Sequence, residues 1–169
     1  MGSSTNAYEE RSHALGEWLA HQRVHLLTGG GPGVMEAVSR AFFNVAGRAG
    51  AVIGVTPSTD EQSAEPPTGY PNPWVEIPIR THLPYSGAHG TSPLSRNHIN
   101  VLTSHVVVAL PGNEGTVSEI QLARRYGTPI TAFLYEPTEL PSLPDGVEIA
   151  YSLEEVQAFV NNALRTPRA

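Results

Sequence analysis

The 169-residue chain sets ten basic residues against sixteen acidic ones, for a formal net charge of -6, and has no cysteine. An acidic balance with scattered basic residues argues against a nucleic-acid groove. No apolar run approaches the ~18 residues of a membrane span, and disulfide, thiolate-metal and thiol-nucleophile chemistry are closed to it. All ten basic residues are arginine. Without lysine there is no Schiff base for pyridoxal phosphate and no lysine-bearing P-loop. The length predicts one domain over residues 1–169. No charged-then-apolar leader opens the chain, and the missing cysteines are consistent with a cytoplasmic setting.

Residues 7–21 read as a helix with Leu15, Trp18 and Leu19 on its buried face. In a doubly wound fold this helix should follow a first strand, yet only Met1 is left to supply one. Either the start lies upstream or the sheet is built without that strand. Val24 to Thr28 is the first clear strand. Gly29-Gly30-Gly31-Pro32-Gly33 follows as a turn in which glycine permits positive φ and close approach to the backbone. Val34 to Gly47 is then a helix, with Val34, Met35, Val38, Ala41, Phe42 and Val45 inward.

Ala51 to Val55 reads as a buried strand, 56–73 as an aperiodic proline-rich loop, Trp74 to Ile79 as a short strand and Arg80 to Pro93 as a second loop. His82, His89 and His98 match no metal-ligand spacing and read as solvated; no metal site is expected. Leu94 to Ser104 is a helix with Arg96 and Asn97 in its first turn. A cation there opposes the helix dipole. A nearby bound anion would account for Arg96; so would a surface pairing with a carboxylate.

Val106 to Leu110 is a strand leading into Pro111-Gly112-Asn113-Glu114-Gly115-Thr116-Val117-Ser118-Glu119, and Ile120 to Tyr126 leaves it as an amphipathic run. Thr116 and Glu119 fit a capping box, although the Thr116 hydroxyl could equally face a phosphate. Glu114 should point outward. Pro129 to Leu134 and Val147 to Ala150 are the last strands. Ser152 caps a final helix that reaches Leu164, and the tail beyond it should fray. Strands alternating with helices predict an α/β fold: a doubly wound, parallel, Rossmann-like sheet in three layers, apparently lacking its usual first strand. Both glycine turns follow strands, so they share the carboxyl edge where such folds bind ligands. Each aims backbone N–H groups and a helix N-terminus at one place, an arrangement suited to a phosphate.

These residues carry a resemblance. Gly29-Gly30-Gly31-Pro32-Gly33-Val34-Met35-Glu36-Ala37-Val38 resembles the G-G-G-x-x-G-x-M-x-A-V motif of the LOG-like Rossmann proteins. Pro111 to Glu119 resembles their P-G-G-x-G-T-x-x-E motif, and Gly2-Ser3-Ser4 resembles the G-S-S closing their first strand, which favours a shortened amino terminus over a tag remnant. One branch hydrolyses the N-glycosidic bond of nucleoside 5′-monophosphates; another comprises molybdenum cofactor carriers, which bind a phosphorylated pterin and release it intact. Some members were once labelled lysine decarboxylases, a label that the absent lysines oppose. Arg96 and Glu119 match the arginine and glutamate of the hydrolases. The resemblance implies that Arg96 would orient the substrate while Glu119 helps water attack the ribose, a carboxylate suiting an oxocarbenium-like transition state.

Two departures are similar to the carriers instead. Asn97 stands where hydrolases usually have lysine, within a carrier-like run from Ser95 to Val108, and Asn113 replaces a glycine, so that a side chain enters the pocket. The resemblance therefore implies binding of a phosphorylated small molecule, as a molybdenum cofactor carrier or, alternatively, a phosphoribohydrolase. A nucleotide sensor acting through a partner protein is a third reading. No additional cofactor is required. The implied ligand-binding residues are Gly29, Gly30, Gly31, Gly33, Val34, Met35, Arg96, Asn97, Pro111, Gly112, Asn113, Gly115, Thr116 and Glu119. The resemblance also implies a homodimer or larger homo-oligomer.

Overall fold

Strands and helices alternate through the described residues, 1–140 and 142–166 of a computed structural model. In order they are α1 (Glu9–Ala20), β1 (Leu26–Thr28), α2 (Val34–Phe43), β2 (Val52–Thr56), β3 (Ile77–Arg80), α3 (Asn97–Thr103), β4 (Val107–Ala109), α4 (Glu114–Tyr126), β5 (Ile130–Phe133), β6 (Glu148–Ala150) and α5 (Leu153–Arg165). The strand pairings among the described residues are parallel, in the order β1-β2-β3 and β4-β5-β6, with Leu26 opposite Val52, Ile53 opposite Ile77, Val107 opposite Ile130 and Thr131 opposite Glu148. The α/β, Rossmann-like expectation is met.

The parallel strands form two three-stranded sheets rather than one continuous one. The break falls where the usual first strand is lacking, as expected. Met1 to Ser3 runs along β4: the Met1 amine donates to Val108 O at 2.9 Å, Leu110 N to Met1 O at 2.9 Å and Ser3 N to Pro111 O at 3.0 Å. Three residues thus satisfy backbone groups that would otherwise go unpaired.

Helices cover both faces. One core joins Leu15 of α1, Val34, Val38 and Phe42 of α2, and Val156 and Val160 of α5 to Leu26, Val52, Phe133 and Ala150 of the strands. On the other face, Val101 of α3 packs with Leu122 and Ala123 of α4 and with Val107. Leu15 is buried as expected, and Trp18 and Leu19 lie partly buried against the same core. Between them, Gly16 lets α1 close on α2: a Cβ there would sit 2.5 Å from Val38 O and 2.8 Å from Ala41 Cβ.

Several boundaries differ from the sequence reading. Helix α2 stops at Phe43, short of Gly47. Helix α4 begins at Glu114, with Asn113 in the N-cap position, so Thr116 and Glu119 lie inside the helix and form no capping box. The first-turn amides open earlier because Pro111-Gly112 turns the chain before Asn113. Ser152 does cap α5, accepting from Glu155 N at 3.3 Å.

One charge pair ties α1 to the segment after β5. Arg11 Nη1 and Nη2 meet the Glu139 carboxylate at 2.7 and 2.6 Å, and the guanidinium carbon lies 3.9 Å from the centre of the Tyr135 ring. Arg11 is nearly buried; Glu139 keeps an edge in solvent. The bidentate bond with Arg11 holds the Glu139 carboxyl below its ordinary value of 4.5, with burial opposing. A depressed carboxyl contributes stability in full above its unfolded value and loses it as the pH falls through the lower native one. Glu139→Gln should therefore cost about 1–3 kcal/mol near neutrality. In thermal melts, the gap from the wild type should close on acidification below the ordinary carboxylate range.

Candidate functional site

The first glycine turn leaves the buried end of β1. Gly30 N donates to Thr28 Oγ1 at 3.1 Å, and Gly30 and Gly33 hold φ of 73° and 71°, values that a side chain would strain. Gly33 is the N-cap of α2, whose Val34 and Met35 are buried. A Cβ on Gly29 would lie 2.7 Å from Arg96 Nη2 and 2.9 Å from Met35 Sδ, so the Arg96 guanidinium rests directly on this turn.

Arg96 occupies the N-cap position of α3 and is 5% exposed. Its Nη1 donates to Asn97 Oδ1 at 3.0 Å, and its Nε has no hydrogen-bond partner. No carboxylate pairs with it among the described residues. The surface-pairing alternative is therefore set aside: Arg96 is a buried cation with no countercharge among the described residues. Asn97 is buried beside it.

The second turn stands close by. Ser3 links the two, its N donating to Pro111 O at 3.0 Å and its O accepting from Val34 N at 2.9 Å. The Thr116 hydroxyl packs so tightly on Gly112 that a Cβ there would collide with it. Asn113 is extended, at φ −107°, a conformation open to a residue with a side chain, so the turn survives the replacement of glycine. Asn113 and Glu114 are exposed, Glu114 as expected. Ser118 Oγ donates to Gly87 O at 2.9 Å, and Gly90 packs between Ser118 and Asn97, which draws the 87–90 segment over the space between α3 and α4.

The backbone hydrogen bonds separate the engaged amides of the two turns from the unpaired ones. Gly30 N and Val34 N are engaged as described, and Thr116 N donates to Asn113 O at 2.9 Å. The amides of Gly31, Gly33, Gly112, Asn113, Glu114 and Gly115 find no acceptor among the described residues. A cleft of about 500 Å³ opens on the second turn, lined in part by Gly112, Asn113, Glu114, Val117 and Ser118. A larger hollow of about 740 Å³, between the 59–63 segment and Pro84-Tyr85, contains none of the singled-out residues.

Glu119 is half-buried on α4 and its Oε1 accepts from Asn100 Nδ2 of α3 at 3.2 Å, while Asn100 Oδ1 is buried without a partner. Burial pushes the Met1 amine below its ordinary value, and the Glu119 charge opposes that push. Glu119 therefore stands beside both the arginine helix and the Met1 segment.

Residues 70–72, in the loop before β3, escaped the sequence reading. Asn72 is buried; its N donates to Gly30 O at 2.7 Å and its Nδ2 to Gly31 O at 2.9 Å. This fastens Tyr70 over the glycine turn, its phenol tip against Gly31 and its ring centre 5.8 Å from the Arg96 guanidinium carbon. The only local hint is an asparagine between two prolines in an otherwise aperiodic stretch. His98, read as solvated, is instead half-buried in α3, with Nδ1 2.7 Å from the Tyr126 hydroxyl and Nε2 2.9 Å from Ser92 O. No cluster of metal-ligating side chains occurs among the described residues, nor is any of their helices long and apolar enough to cross a membrane.

Comparisons with known proteins agree with this fold. The structure superposes on the molybdenum cofactor carrier protein of Chlamydomonas reinhardtii with a TM-score of 0.70 at 30% identity, covering 98% of this chain and 96% of that one. It superposes on the molybdenum cofactor binding protein of the phototrophic bacterium Rippkaea orientalis with a TM-score of 0.68 at 28% identity, covering 94% and 88% of the two chains. A structural-genomics target at 24% identity, with a TM-score of 0.67 and coverage of 91% and 87%, shows the fold alone. No functionally curated protein matches the chain. A family model described as SLOG cluster4 matches residues 1–159, and the chain belongs to that LOG-like family.

Proposed function

We propose that the chain binds a phosphorylated small molecule at the two glycine turns, as a carrier of the phosphorylated pterin of the molybdenum cofactor. The observation that carries this reading is Arg96, a nearly buried guanidinium with an orphaned Nε and no carboxylate partner among the described residues. An unpaired buried charge costs several kcal/mol, and an anionic group on the adjacent turn would offset that cost. Unpaired amides on both turns supply neutral donors of the kind that hold phosphate at helix N-termini. The named carriers from the alga and the phototrophic bacterium support the choice of ligand.

Hydrolysis of a nucleoside 5′-monophosphate is the second reading. It is favoured by one contact: Asn100 holds the Glu119 carboxylate at the mouth of the same α3–α4 junction. A fixed carboxylate there suits a cationic transition state at the ribose. Carrier and hydrolase share the anion site and differ in what Glu119 does to a bound ligand. Self-association as a homodimer or larger belongs to the proposal as well, and Leu102, 51% exposed on α3, offers an apolar contact beside the site. Size exclusion at several concentrations tests it.

Incubation with the released molybdenum cofactor and, separately, with AMP decides between the two. Retention of the cofactor without release of free base or ribose 5-phosphate from AMP is expected. AMP turnover that disappears in Glu119→Ala would replace the carrier reading with the enzyme.

Arg96→Met gives a second check. Removing an uncompensated buried charge while keeping side-chain length should raise the melting temperature of the ligand-free protein. The same variant should bind the cofactor at least about a hundredfold more weakly, since the lost contact is charge-assisted. Lower stability without any loss of binding would show that Arg96 serves packing instead.

A further inference from the structure

We infer that Tyr70 is a ligand-contacting residue of this site, its hydroxyl donating to the anion held on the first glycine turn; the inference rests on the anion-binding reading. Three observations converge on it. The phenol tip packs on Gly31, whose amide has no acceptor among the described residues. The ring stands 5.8 Å from the Arg96 guanidinium carbon, on the same turn that Arg96 touches through Gly29. The Tyr70 hydroxyl itself has no hydrogen-bond partner among the described residues.

The placement is built rather than incidental. The chain from Tyr70 to Asn72 is tied to the turn by two bonds from Asn72, to Gly30 O and Gly31 O, and Asn72 Oδ1 accepts from Trp74 N at 3.1 Å. Asn72 is 3% exposed. A loop residue fixed in this way presents its neighbour to the site at little further entropic cost. A phenol donates one proton to an anionic oxygen, and its ring covers the guanidinium face and strengthens the electrostatics beneath by excluding water. The space also explains why the third glycine is glycine: any Cβ on Gly31 would overlap the phenol.

The ligand class is thus a phosphate ester whose anionic end meets Arg96, the turn amides and a neutral hydroxyl donor together. Tyr70 then favours an anionic oxygen, to which a phenol donates a stronger hydrogen bond than to a neutral acceptor.

The test uses the full chain and two probes, inorganic phosphate and AMP, measured by isothermal titration calorimetry. Tyr70→Phe keeps the ring and removes the donor; it should weaken binding of both probes by about tenfold, the effect of one hydrogen bond to a charged group. Gly31→Ala leaves Tyr70 in the sequence but displaces its ring, and should weaken binding at least as much. Circular dichroism and melting curves verify that both variants fold. If the wild type binds a probe and both folded variants bind it equally well, the role of Tyr70 is refuted while the anion site stands. If the wild type binds neither probe, the anion site fails and this assignment fails with it.

Discussion

A guanidinium removed from water without a partner carboxylate among the described residues is the constraint around which this molecule is arranged. Arg96 is held at the start of a short helix, against a glycine whose lack of a side chain makes the approach feasible. Desolvation of that charge is compensated only in part by Asn97 and by the nearby Tyr70 ring. Folding therefore leaves an electrostatic deficit in one place, which a negatively charged ligand of the kind proposed would offset. Binding and stability are linked by that deficit: an occupant that pairs with Arg96 raises the melting temperature through mass action.

The surrounding fold exists to bring distant stretches to that point. Parallel strands send both glycine turns to one edge, and the Met1–Ser3 segment bonds to β4 on one side and to the start of α2 on the other. Ser3 consequently sets the separation of the turns through two backbone hydrogen bonds. The buried cores on either face keep the strands from shifting: α1, α2 and α5 on one side, α3 and α4 on the other.

Much of this was legible in the sequence because it is local. Glycine runs after apolar strands, the proline before α2 and the serine that caps α5 each act within a few residues. What was not legible depends on partners far along the chain. Arg11 sits one turn before Leu15 on the buried face of α1, but nothing near it announces Glu139, 128 positions away. The T-x-x-E pattern at Thr116 signals a helix start, yet the chain had already turned at Gly112, and the earlier start prevailed. Asn72 lies in a stretch without period, and its placement depends on the carbonyl oxygens of another loop, to which it fastens the segment that carries Tyr70. His98 misled for the same reason, since its hydroxyl partner is on α4.

Strand β3 carries a consequence of another kind. It stands at the end of its sheet, Ile77 and Ile79 are 46% and 38% exposed, and no helix intervenes between it and β2. Such a border is a template onto which a foreign strand can add. Pro78 sits between the two isoleucines and lacks an amide proton, while Arg80 ends the strand with a charge. The colloidal behaviour of the protein at high concentration is thus guarded by an imino acid and a terminal charge, placed where the ladder would otherwise be free to grow.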